Sequence, residues 1–231
     1  MVSPTVAGAV PRLPPVVTIP GVYAPQDDTR LLAAALAREG VARGADALDL
    51  CTGSGVLAIE AARHGARVTA VDISRRALWN TRINALLARR RVRVRRGDLT
   101  APLPPGGRFD LIVSNPPYVP APPAATVAAH GPGRAWDAGP GGRLLLDRIC
   151  DDVPPLLRRG GLLLLVHSAL CGPEETLLRL TSAGLDASVS ERTRIPFGPV
   201  LRERWAWLRE RGLLAPWDES EELVVIRAHC P

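Results

Sequence analysis

The stretch Ala47-Leu48-Asp49-Leu50-Cys51-Thr52-Gly53-Ser54-Gly55-Val56-Leu57-Ala58-Ile59 constrains the fold more than any other part of the chain. A short apolar run enters two glycines and leaves them with helical composition. This reads as strand, tight turn and helix, the opening unit of a doubly wound α/β sheet. The alternation then continues. Arg67–Asp72 reads as a second strand, and Ser74 caps a helix running through Leu78, Ile83 and Leu86. Val92 and Val94, set among arginines, form a third strand that ends at Gly97-Asp98. Phe109–Ser114 and Leu162–Val166 are a fourth and a fifth, apolar at nearly every position, as strands covered on both faces are. Residues 173–183 read as a helix, 185–194 as a strand and Leu223–Ile226 as the last strand. Ahead of all these, Asp28 reads as the cap of a helix that runs towards Gly40.

Two segments break the rhythm. Residues 119–142 form a loop rich in Pro, Ala and Gly, at about two dozen residues longer than compact domains keep without a use. Residues 196–220 insert before the last strand, with Leu201, Trp205 and Leu208 spaced as one face of a short helix. Residues 1–20 are a proline-rich leader to a single domain over 21–231 that carries both decorations.

The 231 residues suit one well-buried domain of α/β type. All 29 basic residues are arginine and the net charge is +6. Six of the eight residues from Arg89 to Arg96 are arginine, so the excess has an address. On an exposed sheet edge such a cluster keeps strands of different molecules apart, and a dock for an acidic protein or RNA is the second reading. Four cysteines without C-x-x-C spacing and four dispersed histidines indicate neither a metal site nor a disulfide framework, which suits a reducing cytoplasm. Prolines interrupt the early apolar stretches, so no signal peptide is expected. Leu162–Val166 is far too short to span a bilayer.

Gly53-Ser54-Gly55-Val56-Leu57-Ala58 matches G-x-G-x-x-A, and Asp72 ends the next strand, where a carboxylate can accept from ribose hydroxyls. A nicotinamide cofactor and S-adenosylmethionine both satisfy this pattern. Two further features separate them. Gly97-Asp98-Leu99 lies on the same edge of the sheet, where Asp98 can accept from an adenine amine. Asn115-Pro116-Pro117-Tyr118 follows the fourth strand directly and so falls beside the cofactor. The prolines fix the backbone and donate nothing, leaving the Asn115 side-chain oxygen and the Pro116 carbonyl to bind both hydrogens of a planar NH2 group, with Tyr118 packed on its face. Such acceptors orient an amide nitrogen for in-line attack on an activated methyl. Alone, the tetrapeptide is commoner as an exposed turn.

Asp49-Leu50-Cys51-Thr52-Gly53-Ser54-Gly55, Asp72, Gly97-Asp98 and Asn115-Pro116-Pro117-Tyr118, in this order, resemble the class I S-adenosylmethionine-dependent methyltransferases, and more narrowly the HemK-like protein-glutamine N5-methyltransferases. Val22-Tyr23-Ala24-Pro25-Gln26-Asp27-Asp28-Thr29, with Ala135-Trp136 and Leu146-Asp147-Arg148, is similar to the short branch of that family, and the likeness spans roughly residues 20–190 and the last strand. The resemblance implies a Rossmann-like α/β domain whose seven-stranded sheet is parallel except for an antiparallel last strand. It implies that Asp49, Gly53 and Gly55 cradle the methionine moiety, Asp72 and Ile73 the ribose, and Asp98 and Leu99 the adenine. Asp28 and Thr29 would close the pocket, while Asn115, Pro116 and Tyr118 hold the acceptor amide, that of a release-factor glutamine. The likeness is to the short branch, which lacks the N-terminal helical domain of the bacterial enzymes and works with a small zinc-binding subunit on its third strand, here crowded with arginine. Parallel family topology would bring Phe197, Trp205, Trp207 and Trp217 to the active face. A nucleic-acid adenine methyltransferase and a small-molecule methyltransferase are the alternatives.

Overall fold

Residues 13–123 and 132–231 are described by the structure, a computed structural model. The proline-rich leader and the substrate loop anticipated from sequence therefore lie partly outside the described residues. In chain order the elements are α1 (Asp27–Glu39), β1 (Asp46–Leu50), α2 (Val56–Arg63), β2 (Arg67–Asp72), α3 (Arg75–Leu87), β3 (Val92–Arg96) and β4 (Phe109–Ser114). Then come α4 (Leu144–Asp152), β5 (Leu157–Ser168), α5 (Pro173–Ser182), β6 (Asp186–Pro196), α6 (Pro199–Glu203), α7 (Trp205–Glu210) and β7 (Ser220–His229).

The seven strands form one sheet of order β3-β2-β1-β4-β5-β7-β6. β7 is antiparallel to both β5 and β6, so the other six strands share one direction, as expected. The order reverses between β1 and β4, and their carboxyl ends part there to leave a crevice. Cys51–Gly55 leave β1 at that point and Asn115–Tyr118 leave β4.

The central strands β1, β4, β5 and β7 are largely apolar because each face of the sheet meets its own helical layer. Leu111 and Val113, with Leu164 and Val166, pack against Leu32 and Leu36 of α1 and Ala58 of α2. Ile112, Leu163 and Leu165 turn to the opposite face, against Leu146 and Ile149 of α4 and Leu180 of α5. β3 is an edge strand with Arg93, Arg95 and Arg96 exposed, the position that the edge-protection reading of the arginines requires. Among the described residues, no helix is long and apolar enough to cross a membrane.

Local readings held to different degrees. Ser74 caps α3, its Oγ accepting from Ala77 N at 3.3 Å. Asp28 is not a cap: α1 begins at Asp27 after Gln26, and the Asp28 side chain turns inward to other partners. The insert is two short helices rather than one, since Arg204 leaves helical geometry between them. Leu201 and Leu208 nevertheless meet, in a satellite core with Phe197 and Leu214.

Two buried asparagines on α3 were not anticipated. Asn84 accepts from Val17 N at 2.9 Å and donates to Val17 O and Ser54 O, both at 2.8 Å. Asn80 accepts from Ile19 N at 2.8 Å and donates to Val17 O at 2.7 Å. They act as a short surrogate strand, pinning the segment that leads into α1 and tying it to the glycine turn. Asn84→Ala removes these bonds and strands buried backbone groups, at a cost of about 1–3 kcal/mol. Urea unfolding should show that loss, and limited proteolysis should cut faster around Val17; unchanged values in both would show that the segment is held by other contacts.

Candidate functional site

The crevice opens into a cavity of about 920 Å³. Of the residues singled out from sequence, Asp28, Thr29, Gly53, Asp72, Ile73, Asp98, Leu99, Asn115, Pro116 and Tyr118 line it. Asp49 and Gly55 do not. Asp49 lies fully buried beneath the turn, its Oδ2 accepting from Thr52 Oγ1 at 2.6 Å and Ala58 N at 3.0 Å. Its Oδ1 has no partner among the described residues, and burial pushes the carboxyl up to about 7. Gly55, at φ 83°, is required by packing. A Cβ there would sit 2.7 Å from Thr81 Cγ2, so the glycine lets α3 close on α2.

At the cofactor end, Gly53 N donates to Asp72 Oδ2 at 3.0 Å and Ser74 N to Asp72 Oδ1 at 2.8 Å, fixing the carboxylate at the rim. Asp98 carries a partner that sequence reasoning missed. Arg148 of α4 forks onto it with contacts of 3.1 and 3.0 Å, so the side chain read as an adenine acceptor is already half of an exposed ion pair. Cys51 and Leu99 hold φ values of 60° and 46°, unfavourable for residues with a Cβ, and both line the cavity. Such strain persists only where the surroundings impose it, and it gathers at binding sites.

At the acceptor end, polarity propagates from one carboxylate. Asp28 Oδ2 accepts from Tyr23 Oη at 2.8 Å and Tyr118 Oη at 3.0 Å. Burial and the nearby carboxylate raise both phenols, which therefore remain protonated donors. Asp28 Oδ1 accepts from the Thr29 amide and from Thr29 Oγ1, the latter at 3.0 Å. The Thr29 hydroxyl has spent its one hydrogen on Asp28, so towards Asn115 it can only accept. Asn115 Nδ2 donates to it at 3.1 Å. This sequence of bonds sets the Asn115 amide with its nitrogen towards Thr29 and its oxygen left for a ligand.

The wall around this end comes from both decorations. Val119 pairs with Asp137, with Val119 N donating to Trp136 O at 2.7 Å, so the described parts of the 119–142 segment fold back as a paired strap. Arg204 ties the insert to that strap, through Asp137 Oδ1 at 2.6 Å and Pro120 O at 3.1 Å. Ile195–Arg202 line the cavity, so the insert does emerge on the active face. Phe197 is part of that wall, Trp205 and Trp207 pack in the satellite core, and Trp217 is 79% exposed. Glu221, Arg148 and the Arg204–Asp137 pair were not anticipated. For Glu221 a signal existed: it precedes Leu223 and Val225 at a spacing of two, which puts it on an inward face of β7.

The site fits S-adenosylmethionine. A Cβ on Gly53 would have nothing closer than 4.0 Å, leaving the open cradle a ligand backbone needs, and Asp72 and Leu99 line the same cavity.

The sequence model of the family described as Methyltransferase small domain matches residues 15–130. A Methanocaldococcus jannaschii protein, provisionally named a protein N5-glutamine methyltransferase, is 32% identical over 79% of this chain and 90% of its own length. The release factor glutamine methyltransferase of Mycolicibacterium smegmatis is 42% identical over 62% of this chain, which spans about half the length of that relative (52%). Among solved structures, the E. cuniculi Mtq2-Trm112 complex, described as responsible for methylation of the eRF1 translation termination factor, superposes with a TM-score of 0.64. It is 26% identical and covers 91% of this chain and 99% of the matched one. The chain belongs to the methyltransferase small-domain family, in its HemK-like group, and is an S-adenosylmethionine-dependent methyltransferase.

Gly142 marks how tightly the strap is bound to the tetrapeptide. At φ 70°, a Cβ there would lie 2.3 Å from Tyr118 O and 2.7 Å from Cys171 Sγ. Gly142→Ala should destabilise the fold by about 2 kcal/mol or more. Denaturant unfolding checks this, and an unchanged midpoint would show that the strap moves aside freely.

Proposed function

We propose that this methyltransferase acts on the side-chain amide of a protein glutamine, with the glutamine of a peptide-chain release factor as its target. The observation that carries the reading is the orientation of Asn115: its nitrogen is committed to Thr29, which leaves its oxygen to act with the Pro116 carbonyl, both residues lining the cavity, as a pair of acceptors. A planar NH2 group satisfies both. An ammonium or a hydroxyl leaves the arrangement poorly matched. The names of the M. jannaschii and M. smegmatis relatives and of the E. cuniculi complex point the same way.

S-adenosylmethionine supplies an electrophilic methyl group. In this reading Asp72 and Ile73 hold its ribose and Leu99 its adenine, with the Asp98–Arg148 fork closing the rim. Gly53 and the buried Asp49 position its methionine end. Asp28 and Thr29 bridge the two halves of the site. Asn115 and Pro116 hold the acceptor nitrogen and draw on its hydrogens, which counters the delocalisation of its lone pair, and Tyr118 covers the amide face. The strap and the insert exclude water and confine the acceptor. This unit occupies residues 21–231. A release-factor substrate places the reaction in the cytoplasm.

A partner subunit belongs to the same reading. Trp79, Ile83, Leu86 and Leu87 are exposed along one side of α3, beside the open edge of β3. That ridge, with the arginines of the edge, suits an acidic protein that adds a strand there. A zinc-binding subunit of the short-branch kind would sit on this flank.

Asn115→Ala should leave the S-adenosylmethionine Kd within about threefold while lowering methyl transfer to a recombinant release factor by about a hundredfold or more. Calorimetry and transfer of labelled methyl check the two halves. Equal losses in both would overturn the assignment of Asn115 to the acceptor, and transfer unaffected by the substitution would overturn the amide reading.

A further inference from the structure

Methylation of an amide nitrogen releases a proton, and the residues assigned above include no base to receive it. The carboxylates that line the cavity differ in how far they are already engaged. Asp27 is paired with Arg30, Asp98 with Arg148 and Asp137 with Arg204. Asp72 accepts from two backbone amides, and Asp28 carries two phenols, a hydroxyl and an amide. Glu221 stands apart. It is 6% exposed at the start of β7, lines the same cavity as Asn115–Tyr118, and accepts from the Ser168 hydroxyl. In a chain with 29 arginines, none pairs with it among the described residues.

We propose that Glu221 is the proton acceptor of the transfer, an inference that rests on the amide reading of the site. The nitrogen lone pair forms the new N–C bond while the methyl–sulfur bond breaks, its electron pair remaining on sulfur as a neutral thioether. The nitrogen is then cationic. It keeps the electrons of one N–H bond as that proton passes to the Glu221 carboxylate, directly or through one water, giving a neutral N-methyl amide and a neutral carboxyl group. The proton leaves to solvent once product departs. Positive charge thus moves from sulfur towards nitrogen as the barrier is crossed, and a carboxylate on the acceptor side favours that movement.

The surroundings keep the carboxyl poised. The groups that act on it electrostatically are Asp28 on α1, Tyr23 in the segment before α1, Tyr118 in the loop after β4, Ser168 at the end of β5 and Cys171 in the turn that follows. On its own strand Glu222 is paired with Arg192. Burial first, then the Asp28 charge, push Glu221 up to about 7 against the opposing hydrogen bond from Ser168. Both phenols are raised and stay neutral. The basic form of Glu221 therefore grows as pH rises through about 7.

Two measurements test this. In protein labelled with carboxyl-13C glutamate, the resonance absent from Glu221→Gln should titrate at least about half a pH unit lower with S-adenosylmethionine bound than with S-adenosylhomocysteine, because only the former carries the positive sulfur. Equal midpoints would overturn the proposal without any acceptor being present. With a recombinant release factor, kcat of the unaltered chain should rise through pH 7. Glu221→Gln should flatten that rise and lower kcat at least about tenfold, with the S-adenosylmethionine Kd within about threefold. A variant that keeps the rise overturns the proposal. Should Glu221→Gln not fold, Ser168→Ala, which removes a bond to the carboxylate, should move the rise to higher pH, and an unmoved profile overturns the proposal equally. Failure of the unaltered chain to methylate the release factor counts against the glutamine reading, and the carboxyl titration then decides the role of Glu221.

Discussion

Everything in the acceptor half of the site depends on the carboxylate of Asp28. It is buried in the first turn of α1 and gathers the amide and hydroxyl of its neighbour Thr29, the phenol of Tyr23 just before the helix and the phenol of Tyr118 from 90 residues away. Because it accepts from Thr29, Thr29 accepts from Asn115, and the Asn115 amide has one orientation rather than two. The orientation of Asn115 is thus set through Thr29 by a carboxylate on another element. The same carboxylate anchors Tyr118 by its hydroxyl, so the prolines between Asn115 and Tyr118 are held from both ends.

A second constraint links this half to the cofactor half. Asn80 and Asn84 fasten the segment before α1 to α3, and Asn84 reaches the carbonyl of Ser54 inside the glycine turn. One helix therefore locates both the glycine turn at the cavity and the extended segment that leads to Tyr23 and Asp28. On the far side, Arg204 and Gly142 keep the insert and the strap against the tetrapeptide. The cavity is walled by parts that are remote in sequence and closely locked in space.

What sequence revealed and what it concealed follow from locality. The central strands are legible because they are apolar on both faces, the edge strand β3 because its valines alternate with arginines, and the glycine turn and the tetrapeptide because their chemistry is contained within a few neighbouring residues. Asp28 is placed at the pocket by the family resemblance, while its local reading as a helix cap fails: a carboxylate before a helix reads as a cap, and its partner Tyr118 is 90 residues away. Asp98 was placed correctly on the rim, but its fork with Arg148 needs α4 to be packed across the sheet. Asn80 and Asn84 look like ordinary helix residues until the segment they hold is known. Glu221 sits in an acidic run that reads as solvated surface, and only the period-two spacing with Leu223 and Val225 points it inward.

The central claim is that the site selects a planar amide nitrogen. Its most direct test is tandem mass spectrometry of a release factor incubated with this protein and deuteromethyl S-adenosylmethionine. The account predicts a single labelled methyl on the side-chain nitrogen of a glutamine. Label on a carboxylate oxygen, a lysine or a main-chain atom of that protein would contradict it.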